Sequence, residues 1–292
     1  MRKRIVVVLA SFAGLAMLAA GTPAWASPQQ GAAPQIGAAC IDCHTDTVTA
    51  FRATPHAESA KGCEGCHGDS KAHIAAGGGK GSMRDFKSLK PADAAAVCLT
   101  CHENKGGQKH WTGSMHASRD LSCLTCHDPH PKGSRVPKAL LVKSQFELCT
   151  TCHLQKKAAL MRSSHMPLRE GKMNCTSCHN PHGTPYPKQL LQVSVNQNCY
   201  SCHAEKRGPF LWEHAPVREN CANCHDPHGT VNDYLLKVKQ PMLCIQCHNG
   251  FVSGGMGNAH AARDRYALNQ SCVNCHTEIH GSTNPRGWVF KR

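Results

Sequence analysis

The chain has 292 residues, with 33 Lys and Arg against 19 Asp and Glu, and only 5% of its residues are aromatic. So few large core residues exclude a fold held together by side-chain burial alone. The formal net charge of +14 would ordinarily point to nucleic acid or an anionic membrane, but the same composition holds 20 Cys and 21 His, and these give the charge another meaning.

The N-terminus opens Met1-Arg2-Lys3-Arg4, continues through an apolar run from Ile5 to Ala20 and reaches Thr22-Pro23-Ala24-Trp25-Ala26. A basic start, a short apolar core and an A-x-A site make an export signal, with cleavage expected after Ala26. The run is short for a membrane span, and no later stretch is apolar enough to cross a bilayer as a helix. Residues 27–292 are therefore expected outside the cytoplasm.

From Cys40 onward one phrase, Cys-x-x-Cys-His, recurs ten times. Its cysteine pairs are Cys40/Cys43, Cys63/Cys66, Cys98/Cys101, Cys123/Cys126, Cys149/Cys152, Cys175/Cys178, Cys199/Cys202, Cys221/Cys224, Cys244/Cys247 and Cys272/Cys275. The adjoining histidines are His44, His67, His102, His127, His153, His179, His203, His225, His248 and His276. A lone Cys-x-x-Cys also suits zinc, an iron–sulfur site or a redox disulfide. A zinc ribbon has no reason to place His after every pair, whereas c-type haem attachment does: two thiols bond the porphyrin vinyl groups and the next imidazole ligates the iron. The expectation is ten covalent c-type haems, which consume every cysteine and leave none for disulfides in an oxidising compartment.

The motifs fall into five pairs, an internal repeat that reads as an array. One domain over 27–292 is expected, with units of about 40–85, 86–138, 139–188, 189–233 and 234–292. Ala139-Leu140-Leu141, Gln189-Leu190-Leu191 and Tyr234-Leu235-Leu236 recur at one distance before the next unit's first cysteine. The expected fold class is a multihaem cytochrome c, mostly irregular with short α-helices and minimal strand, forming an elongated array of two-haem repeats. Residues 27–292 keep 30 Lys and Arg against 19 Asp and Glu. Ten haems bring roughly −20 from propionates and roughly +10 from ferric iron, so the basic residues neutralise cofactors and nucleic acid is not an expected partner.

Outside the motifs eleven histidines remain. His56, His116, His165, His214 and His260 lie inside the units; His73, His130, His182, His228 and His280 follow the second motifs. These are ten candidate distal ligands, with His110 left over. His110 could replace His116, but His116 keeps the spacing to the next cysteine seen for His56 and His214. The histidine of a Cys-x-x-Cys-His-x-Pro-His run cannot serve the iron beside it, since the motif imidazole holds the backbone on the near face. It must reach another haem, and the sequence does not say which. Two imidazoles per iron leave no open position, which favours electron transfer over catalysis.

Paired motifs, intervening histidines and an export signal in this length resemble the MtrA/DmsE family of periplasmic decahaem cytochromes, over roughly Ala39 to His280. The resemblance implies a wire of bis-His haems, inserted in or docked to an outer-membrane β-barrel porin. It would carry electrons between periplasmic or inner-membrane cytochromes and an extracellular multihaem cytochrome, a metal or a mineral, as in metal reduction or iron oxidation. A freely diffusing periplasmic shuttle is the alternative. An oxidoreductase with one open haem is a further one, disfavoured by ten regular motifs and a sufficient supply of distal histidines.

Overall fold

A computed structural model describes residues 37–58, 61–132, 137–165, 168, 170–248 and 270–291. The expected signal, residues 1–26, and His260 lie outside the described residues. Among those described there are short α-helices, 3-10 turns and isolated β-bridges but no strand.

The two motifs of a unit are built differently. First motifs of units two to five ride on α-helices: Pro91–His102, Gln145–Cys152, Val195–Tyr200 and Met242–Ile245. Pro91 sits in its helix's first turn, where a missing N–H costs nothing. Ser144 Oγ accepts from Glu147 N at 3.3 Å and donates to Glu147 Oε2 at 2.7 Å, while Ser194 Oγ accepts from Gln197 N at 3.2 Å; both satisfy backbone donors of a first turn. Second motifs of the same units sit on the 3-10 turns Cys123–Thr125, Cys175–Ser177, Cys221–Asn223 and Cys272–Asn274. Either geometry places thiols three residues apart on one side, with the histidine next to them.

After each second motif the chain loops out and returns. Backbone N–H groups of Asp128, Asn180, Asp226 and Glu278 donate to the carbonyls of Leu140, Gln189, Leu235 and Phe290 at 2.8–2.9 Å. Bridges His127–Leu141, His179–Leu190 and His225–Leu236 complete three of these returns. Each of the three passes through two successive left-handed residues, Ala139/Leu140, Lys188/Gln189 and Tyr234/Leu235, with φ of 54–58°. Counting back from the next cysteine aligns Leu191 with Leu141 and Leu236. The structure instead aligns Leu190, because the return is registered on the motif behind it.

Consecutive units interlock. His165 N donates to Pro227 O and Thr230 N to Ser163 O, while Trp212 and Ser282 exchange both backbone bonds. His116 Nδ1 lies 2.8 Å from Pro181 O. Each contact joins the lone-histidine segment of one unit to the post-motif segment of the next, the nearest-neighbour arrangement of a repeat array.

No described side chain is fully buried, and the apolar residues below a tenth exposed are scattered: Val48, Phe51, Ala94, Ala95, Trp111, Leu140, Leu160, Leu190 and Leu236. Backbone contacts are closest at glycine. Gly229 has φ of +129°, and a Cβ there would sit 2.1 Å from Ala159 O. Gly183 and Gly281, after the equivalent histidines, approach His110 O and the Phe210 ring in the same way. Gly229→Ala is expected to cost about 1–3 kcal/mol through backbone strain. A lowered thermal midpoint at unchanged haem content would show it; an unaltered midpoint would mean that the two segments separate freely.

Candidate haem-ligand array

The structure brings the candidate histidines together in twos. Ring centroids of His44 and His73 are 6.3 Å apart, those of His56 and His102 6.1 Å, and those of His67 and His130 6.1 Å. His116 and His153 follow at 6.1 Å, His127 and His182 at 6.0 Å, and His165 and His203 at 6.0 Å. His179 and His228 are 6.2 Å apart, His214 and His248 6.2 Å, and His225 and His280 6.1 Å. Every pair holds one motif histidine and one candidate distal histidine. The remaining pair of candidates, His276 and His260, cannot be compared, since His260 is outside the described residues.

A rule runs through these pairs. The lone histidines of units one to four each face the first motif of the next unit, and the post-motif histidines of units two to five each face the second motif of the unit before. Adjacent units are thus cross-strapped in both directions. In the first unit His73, on the helix Lys71–Ala75, instead faces His44 of its own unit. That different partner goes with the unusual spacing of His73. His280 pairs across units like its equivalents despite its longer offset. His110 is exposed and outside the pairs; its backbone carbonyl, not its ring, lies against Gly183.

The spacing fits one metal between two imidazoles. Metal–nitrogen bonds of about 2.0–2.1 Å on opposite faces put the two ring centroids ~6.3 Å apart. Among the described residues no group of three or more His, Cys, Asp or Glu could hold a bare ion. Paired axial ligands with cysteines alongside suit an iron whose other four ligands come from a porphyrin.

The imidazoles are also held in the form a metal requires. Burial, followed by the facing motif histidine, pushes His56, His130, His182 and His214 below the usual histidine range, so they are unprotonated at neutral pH. In all five second motifs the Nδ1 of the motif histidine meets a backbone carbonyl from the returning loop. His67 meets Arg84 O at 3.1 Å, His127 meets Ala139 O at 2.7 Å and His179 meets Lys188 O at 3.0 Å. His225 meets Tyr234 O at 2.8 Å and His276 meets Val289 O at 2.6 Å. A proton fixed on Nδ1 frees Nε2 for iron and orients the ring. This carbonyl set was missed in the sequence because any residue can supply it. For His127, His179 and His225 its signal is the doubled left-handed turn, which no residue type announces.

Cysteine neighbours link the motifs in chain order. Within units, Cys98 neighbours Cys123, Cys149 neighbours Cys175 and Cys199 neighbours Cys221. Between units, Cys66 neighbours Cys98 and Cys101, Cys126 neighbours Cys152, Cys178 neighbours Cys202 and Cys224 neighbours Cys247. Among the described residues all cysteines are free of disulfides. Asn196 was also missed: buried, it donates to Val217 O and Arg218 O at 2.9 Å and accepts from Cys221 N at 2.7 Å, fixing the second motif of its unit to the first.

The two cysteines of a motif differ in their surroundings. Every first cysteine is half-buried, whereas Cys43, Cys101 and Cys275 are exposed, as are Cys66, Cys152, Cys202 and Cys247. Cys126, Cys178 and Cys224 escape exposure because the returning loops lie over them. Their carbonyls accept from Val142 N, Leu191 N and Lys237 N at 2.9–3.0 Å. Cys101 opens to solvent beside Cys66 at the first junction between units. Cys43 belongs to the first motif and Cys275 to the last. A thioether sulfur needs only to face the porphyrin edge, so exposure to solvent removes none of the seven from the attachment set.

One distal candidate differs from the rest. His228 Nδ1 lies 3.0 Å from Asp226 Oδ1, both side chains being about one-third exposed. Burial opposes the charge on Asp226, but the backbone and imidazole donors of His228 outweigh it and hold the carboxyl below its ordinary range, with Lys156 also nearby.

Comparison with known proteins agrees with this site. Residues 165–208 and 214–253 match the family described as Doubled CXXCH motif, and residues 63–152 match Cytochrome c-type protein NrfB-like. The chain is 38% identical over 240 residues to Multiheme cytochrome MtrA of Shewanella baltica, covering 79% of this chain and 70% of that protein. It is 28% identical to Cytochrome c-type protein NrfB of Escherichia coli O6:H1, over 41% of this chain and 66% of that protein. C-type polyheme cytochrome OmcB of Geobacter sulfurreducens is 22% identical over 42% of this chain and 26% of its own length. With its repeated motifs and paired histidines, the chain belongs to the MtrA family of multihaem electron-transfer cytochromes and carries covalently bound c-type haem.

Proposed function

We propose that the protein holds ten haems as one domain over residues 27–292 and conducts electrons along them. Each is attached by one Cys-x-x-Cys-His motif and closed on its other face by a second histidine. The histidine pairs at 6.0–6.3 Å are the observation that carries this reading. His276 is left with His260. A haem ligated this way supplies one-electron exchange between ferric and ferrous iron. The chain's own residues hold both imidazoles in place, fix their tautomers through the loop carbonyls and leave no axial position for substrate, so the protein is an electron carrier and not an enzyme. The alternating thiol contacts within and between units support a haem order in space that follows the order of motifs in the chain.

The signal-like N-terminus supports export to the periplasm. No helix among the described residues is long and apolar enough to cross a membrane, so passage through the outer membrane would require a partner. A β-barrel porin has a polar lumen able to hold such a chain, and the family resemblance makes it the partner we infer. Periplasmic or inner-membrane cytochromes would meet one end, and an extracellular multihaem cytochrome, metal or mineral the other. The test is affinity capture of a tagged chain from solubilised outer membranes. A stoichiometric β-barrel protein in the eluate is the expected result. Recovery of all the cytochrome from the soluble periplasmic fraction, with no barrel, would favour a diffusing shuttle.

A further inference from the structure

We infer that Asp226 sets the potential of one haem, the one between His179 and His228, and makes it the most reluctant of the described centres to accept an electron. The inference rests on the histidine pairing proposed above. Both imidazoles of this pair have their outer nitrogens engaged: His179 Nδ1 meets the Lys188 carbonyl at 3.0 Å, and His228 Nδ1 meets the Asp226 carboxylate at 3.0 Å. A carboxylate behind a ligating imidazole raises its basicity and favours the more positive, ferric state of the iron. The negative charge of Asp226 acts in the same direction, offset in part by the nearby Lys156 ammonium.

The other described distal candidates lack this arrangement. Nδ1 of His56 and of His165 is buried without a partner, His116 meets the Pro181 carbonyl and His73 meets the Ser82 hydroxyl. Asp128 and Asn180 stand where Asp226 does in their own units, but each accepts from a backbone N–H, of His130 and His182. Asp226 accepts from the backbone N–H of His228 and from its ring as well. Asn180 also shows that an amide fits this turn, so Asp226→Asn removes the charge and keeps the backbone contact. The affected motif is the sixth of ten, which puts the reluctant centre in mid-array.

The test is a spectropotentiometric titration of the full holoprotein and its Asp226→Asn variant, with His228→Gly alongside. In Asp226→Asn about one-tenth of the haem amplitude should leave the low-potential end of the titration. Its ferrous-to-ferric ratio at fixed potential should rise at least tenfold, which is 59 mV for a one-electron couple. His228→Gly should convert one-tenth of the haem to high spin. An unmoved titration in Asp226→Asn, together with a high-spin haem in His228→Gly, would overturn the role of Asp226 and leave the pairing standing. No change in either variant would overturn the pairing, and the inference with it.

Discussion

Without haem, this chain is expected to have no folded state. Ordering costs about 1–2 kcal/mol per residue in backbone entropy, and the chain offers only scattered apolar side chains against it, with none of those described fully buried. The helices are also too short to be stable alone. The longest described one, Pro91–His102, has 12 residues. Attachment free energy is therefore folding free energy, as in small metal-dependent domains. A chain with its motif cysteines changed to serine, or one made in cells unable to attach haem, should give a coil-like far-UV circular dichroism spectrum and immediate proteolysis. With cysteines intact and oxidised, the haem-free chain should form disulfides without preference for its native neighbours. A cooperative thermal transition in the serine variant would show a protein core that the structure does not contain.

The second large effect is expected from His182→Gly. Its ring faces His127 across 6.0 Å, so its removal opens one iron and cuts one of the two straps between the second and third units. About one-tenth of the haem should become high-spin, and added imidazole should restore the low-spin spectrum by filling the cavity. The thermal midpoint should fall and recover in step. His110→Gly should leave the spectrum unchanged, since that ring is exposed and outside the pairs. A high-spin signal from His110→Gly would instead mean that His110 takes the place of His116 as a distal ligand.

Much of the site was legible because haem attachment demands a fixed spelling. The twenty cysteines, the motif histidines and the two classes of candidate distal histidine follow from spacing alone, as does the need for His130, His182 and His228 to reach past their own iron. What spacing could not give is the partner of each, because the straps cross between units and depend on how units dock. The loops that cover Cys126, Cys178 and Cys224 were equally hidden in the repeated motif. His73 illustrates the limit: its odd offset reads as a defect until the structure shows it facing His44 of its own unit. Leu190 illustrates another, since its register is set by the bridge to His179 behind it and not by the cysteine ahead. Backbone features were invisible for a simpler reason. The carbonyls of Ala139, Lys188 and Tyr234 belong to three unlike residues, and only their left-handed geometry is shared.

The most direct test of paired histidines closing every iron is a low-temperature EPR spectrum of the ferric holoprotein, with haem quantified as the pyridine haemochrome. Ten haems per chain, all low-spin, are predicted. The ring planes foretell two families of signal, because parallel imidazoles split the iron dπ orbitals and crossed ones leave them close in energy. Six described pairs are near-parallel, at 19–33°. Three are steeply crossed, at 66–86°. A high-spin signal integrating to one haem or more would contradict the account: an iron would be open, and the protein would be equipped for chemistry beyond electron transfer.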